Sequence, residues 1–166
     1  KPIVILGIFV ADTAYRADRM PKMGETILGR TFALGPGGKG SNQAVAAAMA
    51  GGKTHFITRL GRDDFSALAR STWDRAGGHP EGTEDADSYT GAAFIFLEEA
   101  TGNNAIIVSP GAAARITPED LEAKSELIRG ASIFVTQLEQ PIPAARRGLE
   151  IARASGVRTI LNPAPA

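Results

Sequence analysis

Residues 35–43 read Gly-Pro-Gly-Gly-Lys-Gly-Ser-Asn-Gln, and an alanine-rich run follows at once. Glycine-dense loops that open onto a helix often cradle phosphates, because unpaired N–H groups and the helix dipole converge there. Gly35, Gly37 and Gly40 satisfy the G-x-G-x-x-G dinucleotide pattern, which on its own is a weak signal. Its context is wrong: the pattern should follow the first buried strand, and the acidic ribose ligand about twenty residues on would fall at Arg59 and Leu60. A Walker A loop fails twice, since Ala33 stands where its first glycine belongs and Gly40 follows Lys39 in place of a hydroxyl residue. A plain tight turn before a small-residue helix explains the glycines and alanines. It leaves unexplained why Lys39, Asn42 and Gln43 cluster at a helix N-terminus.

Other residues that could do chemistry stand apart from the loop. Asp12 follows the first apolar run and, on its own, reads as a turn residue at a strand end. Glu139, just before Pro141, on its own reads as a surface acid, and Lys39 is either a donor at the helix start or a solvated lysine. Glu98 and Glu99 are adjacent, so on a strand they point to opposite faces and read as hairpin-end charges. His55 and His79 have no ligand-spaced partners and read as packed or exposed, and Trp73 reads as core.

The elements that must position these residues follow from patterning. Ile3 to Val10 is apolar without alternation, as in a strand buried on both faces. Residues 13–34 mix polar and apolar positions around Pro-Lys-Met-Gly, the pattern of a hairpin with one wet face. A helix is expected from about Ser41 to Met49, stopped by Gly51 and Gly52, and then a buried strand at 54–60. Phe65, Leu68, Ala69 and Trp73 recur at helical spacing, with Asp63 as N-cap and Gly77 as stop. After an irregular stretch at 79–90, two apolar runs around Thr101-Gly102-Asn103-Asn104 read as a second hairpin. Thr117 caps a helix with Pro118 at its first position and Glu119 and Asp120 at the positive end of its dipole. A strand at 131–138, a helix over about 143–155 ended by Gly156, and a strand at 157–162 complete the chain. The order predicts an α/β fold: a parallel sheet with helices on both faces, decorated by a small antiparallel sheet.

Composition narrows the function classes. Eighteen basic side chains balance eighteen acidic ones, so no overall field selects nucleic acid or an anionic membrane. Without cysteine there is neither a disulfide scaffold nor a thiolate metal site. The longest apolar run, 3–11, is far short of the ~20 residues that span a bilayer. Strand character explains it better than a signal peptide does, and a cytoplasmic chain is expected. The sequence ends at Leu161-Asn162-Pro163-Ala164-Pro165-Ala166, directly after an expected interior strand, where another helix normally follows. An N-terminal portion of a longer, truncated fold is therefore expected.

Taken together, "GGKGSNQAVAAA" at 37–48, "GETILGR" at 24–30, "TGAAFIF" at 90–96, "GNNAIIVSPGA" at 102–112, "QLE" at 137–139 and "LNPAPA" at 161–166 resemble the ribokinase-like (PfkB) carbohydrate kinase family. The motifs fall in the family's order and cover nearly the whole chain. The resemblance implies a Rossmann-type core from 1–12, 35–90 and 110–166, and a β lid from 13–34 and 91–109. It implies a kinase that moves the ATP γ-phosphoryl group to a sugar hydroxyl with Mg²⁺, often with activation by a monovalent cation such as K⁺, and a homodimer through the lid. "NPAPA" points to ribose as the sugar, giving ribose 5-phosphate. By the same resemblance Asp12 binds sugar hydroxyls, Gly38, Lys39, Gly40, Ser41 and Asn42 form the sugar loop, and Glu139 adds a contact. Val10 departs from the asparagine usual two residues before that aspartate, and Ala113 from the asparagine often found after Pro-Gly-Ala. The first departure leaves fructose, a deoxyribose or a nucleoside as alternative substrates. An inactive sugar-binding or dimerisation module is the alternative of another class. The family's Gly-Ala-Gly-Asp base segment, Asn-x-x-Glu motif and adenine pocket have no counterpart in these residues. The catalytic base is thus expected beyond Ala166, and this chain alone is expected to be inactive.

Overall fold

The computed structural model describes residues 1–85 and 87–165. The first strand, β1 (Ile3–Leu6), starts a central sheet and stops earlier than its hydropathy predicts. Gly7, Ile8 and Phe9 carry the chain out of that sheet, and β2 (Val10–Ala17) belongs to a second one. The apolar run therefore stays buried from Val4 onward while changing partners. β2 pairs antiparallel with β3 (Thr31–Gly37), which takes in the first glycines of the loop. Helix α1 (Lys39–Met49) then begins two residues before the expected Ser41.

β4 (Thr54–Ile57) and β5 (Arg59–Leu60) replace the single strand expected at 54–60. Helix α2 (Asp64–Ala76) starts at Asp63 as expected, through a capping box in which Asp63 accepts from the Ser66 N–H at 2.9 Å. It ends at Gly77 in the left-handed region. The stretch expected to be irregular holds two short strands, β6 (His79–Pro80) and β7 (Thr83–Glu84). The second hairpin is β8 (Thr90–Glu98) and β9 (Asn104–Gly111), followed by a 3₁₀ turn over Ala112–Arg115. Thr117 and Asp120 form the next capping box, opening α3 (Pro118–Ala123), and a break at Lys124 separates α4 (Ser125–Arg129). β10 (Ile133–Thr136), α5 (Ile142–Ala154) and β11 (Arg158–Leu161) follow.

The central sheet runs β11-β10-β1-β4-β6, all parallel. Val4, Leu6 and Phe134 pack on one face with Leu121, Ile128 and Ile151 from α3, α4 and α5. Ile5 and Phe56 pack on the other with Ala44 of α1 and Trp73 of α2. Trp73 is core, as expected, and meets Phe9 and Phe56 edge-on at 5.8 and 5.2 Å. The second sheet runs β3-β2-β8-β9, and its central pair, β2 with β8, is parallel. The small sheet is therefore mixed and not purely antiparallel. Its strands include Val10–Asp12 and Gly35–Gly37, which the segment limits at 13 and 34 had left to the core. β5 and β7 form a separate two-stranded sheet.

Connectivity places a crevice. From β1 the chain goes through the lid strands and α1 to β4 on one side. From β10 it goes through α5 to β11 on the other. The carboxyl ends of β1 and β10 thus lie at a topological switch point, where ligands bind in open α/β sheets.

Candidate functional site

At that switch point the chain crosses itself closely. A Cβ on Gly40 would lie 2.6 Å from the Gly7 Cα, so both positions must be bare for the first turn of α1 to lie against the end of β1. Gly38, the residue before the helix, has φ +93° and no room for a side chain against the Ile8 carbonyl. A Cβ on Gly37 would collide with the Asp12 carboxylate. Gly7, Gly38 and Gly40 are thus demanded by backbone contacts within the chain, whereas at Gly37 the obstacle is the end of the Asp12 side chain.

A glycine before the helix leaves α1 with no side-chain cap of its own. Glu139 fills that role from a hundred residues away: its Oε2 accepts from the Lys39 backbone N–H at 2.7 Å, and its Oε1 pairs with Lys39 Nζ at 2.8 Å. The Glu139 side chain is only 11% exposed and the Lys39 side chain 41%, so the acid is held inside and the ammonium reaches the rim. A carboxylate at the helix N-terminus also meets the positive end of the dipole.

Asp12 lies on β2 beside Gly35 of β3 and Ala93 of β8. Burial pushes its carboxyl above the ordinary value, and the negative charge of Glu139 adds to the shift. Among the described residues no group donates a hydrogen bond to it. Its oxygens therefore face the cleft with acceptor capacity open to a ligand's hydroxyl groups.

These groups share one cleft of ≈ 210 Å³. Val10, Asp12, Gly38, Lys39, Asn42 and Glu139 line it from the core side, and Ala93, Ile95, Ile106 and Val108 from the lid. Strand alternation explains the lid wall, since Asp12 pairs with Ala93, Ala93 with Val108, and Ile95 with Ile106 on one face. A contiguous space of ≈ 420 Å³ continues past Ile8, Pro110 and Leu138. Polar groups on one wall and aliphatic carbons on the other suit a ligand with hydroxyl edges and C–H faces.

Six of the expected site residues therefore converge. Gly40 and Ser41 are buried beneath the cleft: Ser41 Oγ accepts from Trp73 Nε1 at 2.9 Å, and its N–H donates to Ile8 O at 3.3 Å. Two residues to which the sequence assigned no role belong to the same architecture. Gly7 makes the backbone crossing, and Gln137, fully buried, donates from Nε2 to Gln43 Oε1. An amide at the end of an apolar strand was the available signal for Gln137. His55 and His79 lie elsewhere, stacked at 5.0 Å, with His55 Nδ1 2.8 Å from Glu81. Glu98 and Glu99 sit at the hairpin end, where Glu99 pairs with Arg16 at 3.5 Å.

Among the described residues no three histidine, aspartate or glutamate side chains converge as a metal site, so none is assigned to Mg²⁺ or a monovalent cation. Among the described residues no helix is long and apolar enough to cross a membrane.

Known proteins resemble this arrangement in sequence and in shape. The ribokinase of Staphylococcus aureus is 39% identical over 168 residues, covering 99% of this chain and 54% of its own length. The deoxyribokinase of Salmonella typhi is 33% identical over 165 residues, covering 99% and 54%. The structure of Arabidopsis thaliana ribokinase complexed with ribose and ATP superposes with a TM-score of 0.89 at 31% identity, covering 99% of this chain and 54% of that one. The chain thus spans about half the length of these relatives. The description "pfkB family carbohydrate kinase" matches residues 1–166 from end to end, and with a parallel sheet, a β lid and a glycine-lysine helix start at their junction, this chain belongs to that family.

Proposed function

We propose that this chain forms the sugar-binding half of an ATP-dependent carbohydrate kinase whose acceptor is ribose. The observation that carries the reading is Asp12, a half-buried carboxylate with no donor among the described residues, facing Asn42 and the Lys39–Glu139 pair across the cleft. Adjacent hydroxyls of a furanose can donate into its two oxygens, each charged hydrogen bond contributing about 1.5–3 kcal/mol. Asn42 and the free face of Lys39 hold further hydroxyls, and Ile95, Ile106 and Val108 cover the sugar's C–H face and exclude water.

ATP with Mg²⁺ supplies the phosphoryl group in this reading, with a monovalent cation as activator. Transfer is assigned to the length of the relatives that this chain does not span, so the 166 residues alone bind sugar without turnover. Self-association through the lid is part of the same proposal. The face opposite Asp12 presents Tyr15, Phe32, Leu34 and Ile107, with Tyr15 5.2 Å from Phe32 and 5.5 Å from Phe94.

Val10 favours a second acceptor. An apolar side chain lines the cleft where an amide could pair with a hydroxyl, which suits a sugar lacking one, and the 33%-identical relative is named a deoxyribokinase. The discriminating experiment supplies the full-length protein with ATP, Mg²⁺ and ribose, 2-deoxyribose, fructose or a nucleoside in turn. Phosphorus NMR then identifies the product. Ribose 5-phosphate as the preferred product supports the first reading, and 2-deoxyribose 5-phosphate the second. Tight sugar binding without turnover by the full-length protein points to an inactive binding module.

A further inference from the structure

The sugar-binding reading uses Glu139 but gives no role to Gln137, two residues earlier. Gln137 is 0% exposed and follows directly on β10, at the switch point. Its Nε2 donates to Gln43 Oε1. Its Oε1 has no hydrogen-bond partner, although buried polar atoms almost always have one. That oxygen lies in the crossing of the two bare glycines: a Cβ on Gly7 would be 2.6 Å from it and a Cβ on Gly40 2.8 Å. The Cα–H groups of glycine are weak donors, which accounts for an oxygen tolerated there. The backbone oxygen of Gln137 is fixed as well, accepting from Gln140 Nε2 at 2.5 Å.

A pattern emerges on α1. Lys39 and Gln43 stand four apart, one above the other on the same helix face. Glu139 and Gln137 stand two apart on the segment after β10. Glu139 grips Lys39, and Gln137 grips Gln43 while filling the slot at Gly40. Ser41 already ties this turn to Ile8 and Trp73 on its buried side, and the two side-chain grips a turn apart add to those ties in fixing its depth and roll. Asn42, between the gripped residues, has its direction into the cleft set by that roll.

We propose that Gln137 is a positioning residue: with Glu139 it clamps the first turn of α1, and so sets the geometry in which Lys39 and Asn42 meet the sugar. The proposal rests on the sugar-binding reading, and the clamp has its own observable, the Lys39 N–H that Glu139 holds. In the full-length protein, Gln137→Met keeps length and apolar bulk but removes both polar ends, and Gln43→Met removes the partner. Ribose binding is measured by calorimetry, KM for ribose and for ATP by steady-state kinetics, and amide exchange at Lys39 and Ser41 by NMR. Each single variant is expected to weaken ribose binding about tenfold, the worth of one hydrogen bond. KM for ATP stays unchanged, and the Lys39 amide exchanges faster. The double variant is expected to lose no more than either single one, because both remove the same grip.

Unchanged ribose affinity and unchanged Lys39 exchange in Gln137→Met would overturn the proposal. Equal losses for ribose and ATP, or single effects that multiply in the double variant, would overturn it too. If Gln137→Met does not fold, Gln43→Met at its half-exposed position decides the matter alone, and wild-type behaviour there counts against the clamp. If the wild-type protein binds no ribose, the sugar reading fails by itself, and exchange at Lys39 still tells whether the clamp exists.

Discussion

Asp12→Asn separates what the cleft does for its ligand from what it does for the fold. In the sugar-free protein burial and Glu139 raise the Asp12 carboxyl above its ordinary value. The folded state then binds that proton more tightly than the unfolded one, so ionised Asp12 opposes folding. Its unfavourable contribution is absent below the unfolded value, grows as pH rises through the raised folded value, and is constant above it. The substituted amide is never charged, so the variant's melting temperature should exceed wild type at pH 7 and converge with it in acid. Ribose binding should move the other way. Two hydroxyls donating into an ionised carboxylate contribute about 3–6 kcal/mol, whereas an amide retains one neutral acceptor of about 1 kcal/mol. The difference of about 2–5 kcal/mol is a rise in Kd of roughly 30- to 5,000-fold. Wild-type affinity itself should fall as pH drops through the raised Asp12 value, with proton release on binding near it. Calorimetry in two buffers and melting curves across pH read both effects. An Asp12→Asn protein that is less stable at pH 7, or that binds ribose like wild type, refutes the reasoning.

Other expectations test the frame around the cleft. Gly148→Ala puts a Cβ 2.5 Å from the Phe134 ring, and the overpacking cost of about 1–3 kcal/mol should exceed the helix-propensity gain of about 0.5–1 kcal/mol, lowering the denaturant midpoint. In the lid loop the Arg19 guanidinium lowers Glu25 to about 2, and Glu25 also accepts from the Lys22 N–H at 2.9 Å. A depressed carboxyl gives order that is complete above its unfolded value and lost as pH falls through about 2. Chemical shifts of Lys22 should therefore hold at about pH 4 and move between about pH 3 and 1.5; loosening already complete at about pH 4 would contradict the pairing. The proposed self-association through the lid predicts that the full-length wild type sediments as a dimer and Phe32→Asp, on the outer lid face, as a monomer; a monomeric wild type, or a dimer unchanged by Phe32→Asp, would count against it.

The elements with local signals were legible from sequence. Asp63 with Ser66 and Thr117 with Asp120 are caps three residues apart, and both helices start where those residues stand. Both lid hairpins are adjacent runs around turn residues, and their pairings formed as expected. What sequence could not give was contact at long range. Nothing near Ser41 announces that α1 begins at Lys39, because its cap is Glu139, distant in the chain. Ile3 to Val10 looks like one strand because the chain stays buried while passing between sheets, and hydropathy records burial without recording partners. The parallel pairing of β2 with β8 joins two hairpins, and neither hairpin encodes it alone. The break at Lys124 carries no glycine or proline, and nothing local explains it. In the site, Lys39, Asn42 and Glu139 lie in the motifs and Asp12 was assigned by its place after the first strand, while Gln137, although inside "QLE", needed the fold to show its place under α1.

The central claim is that a sugar sits between the first turn of α1 and the lid. A crystal structure of the full-length protein grown with ribose tests it most directly. The account predicts ribose hydroxyls within hydrogen-bond distance of both Asp12 oxygens and of Asn42, with Ile106 and Val108 against the sugar's carbon face. Ribose bound elsewhere, or a cleft that stays empty at saturating ribose, would contradict it.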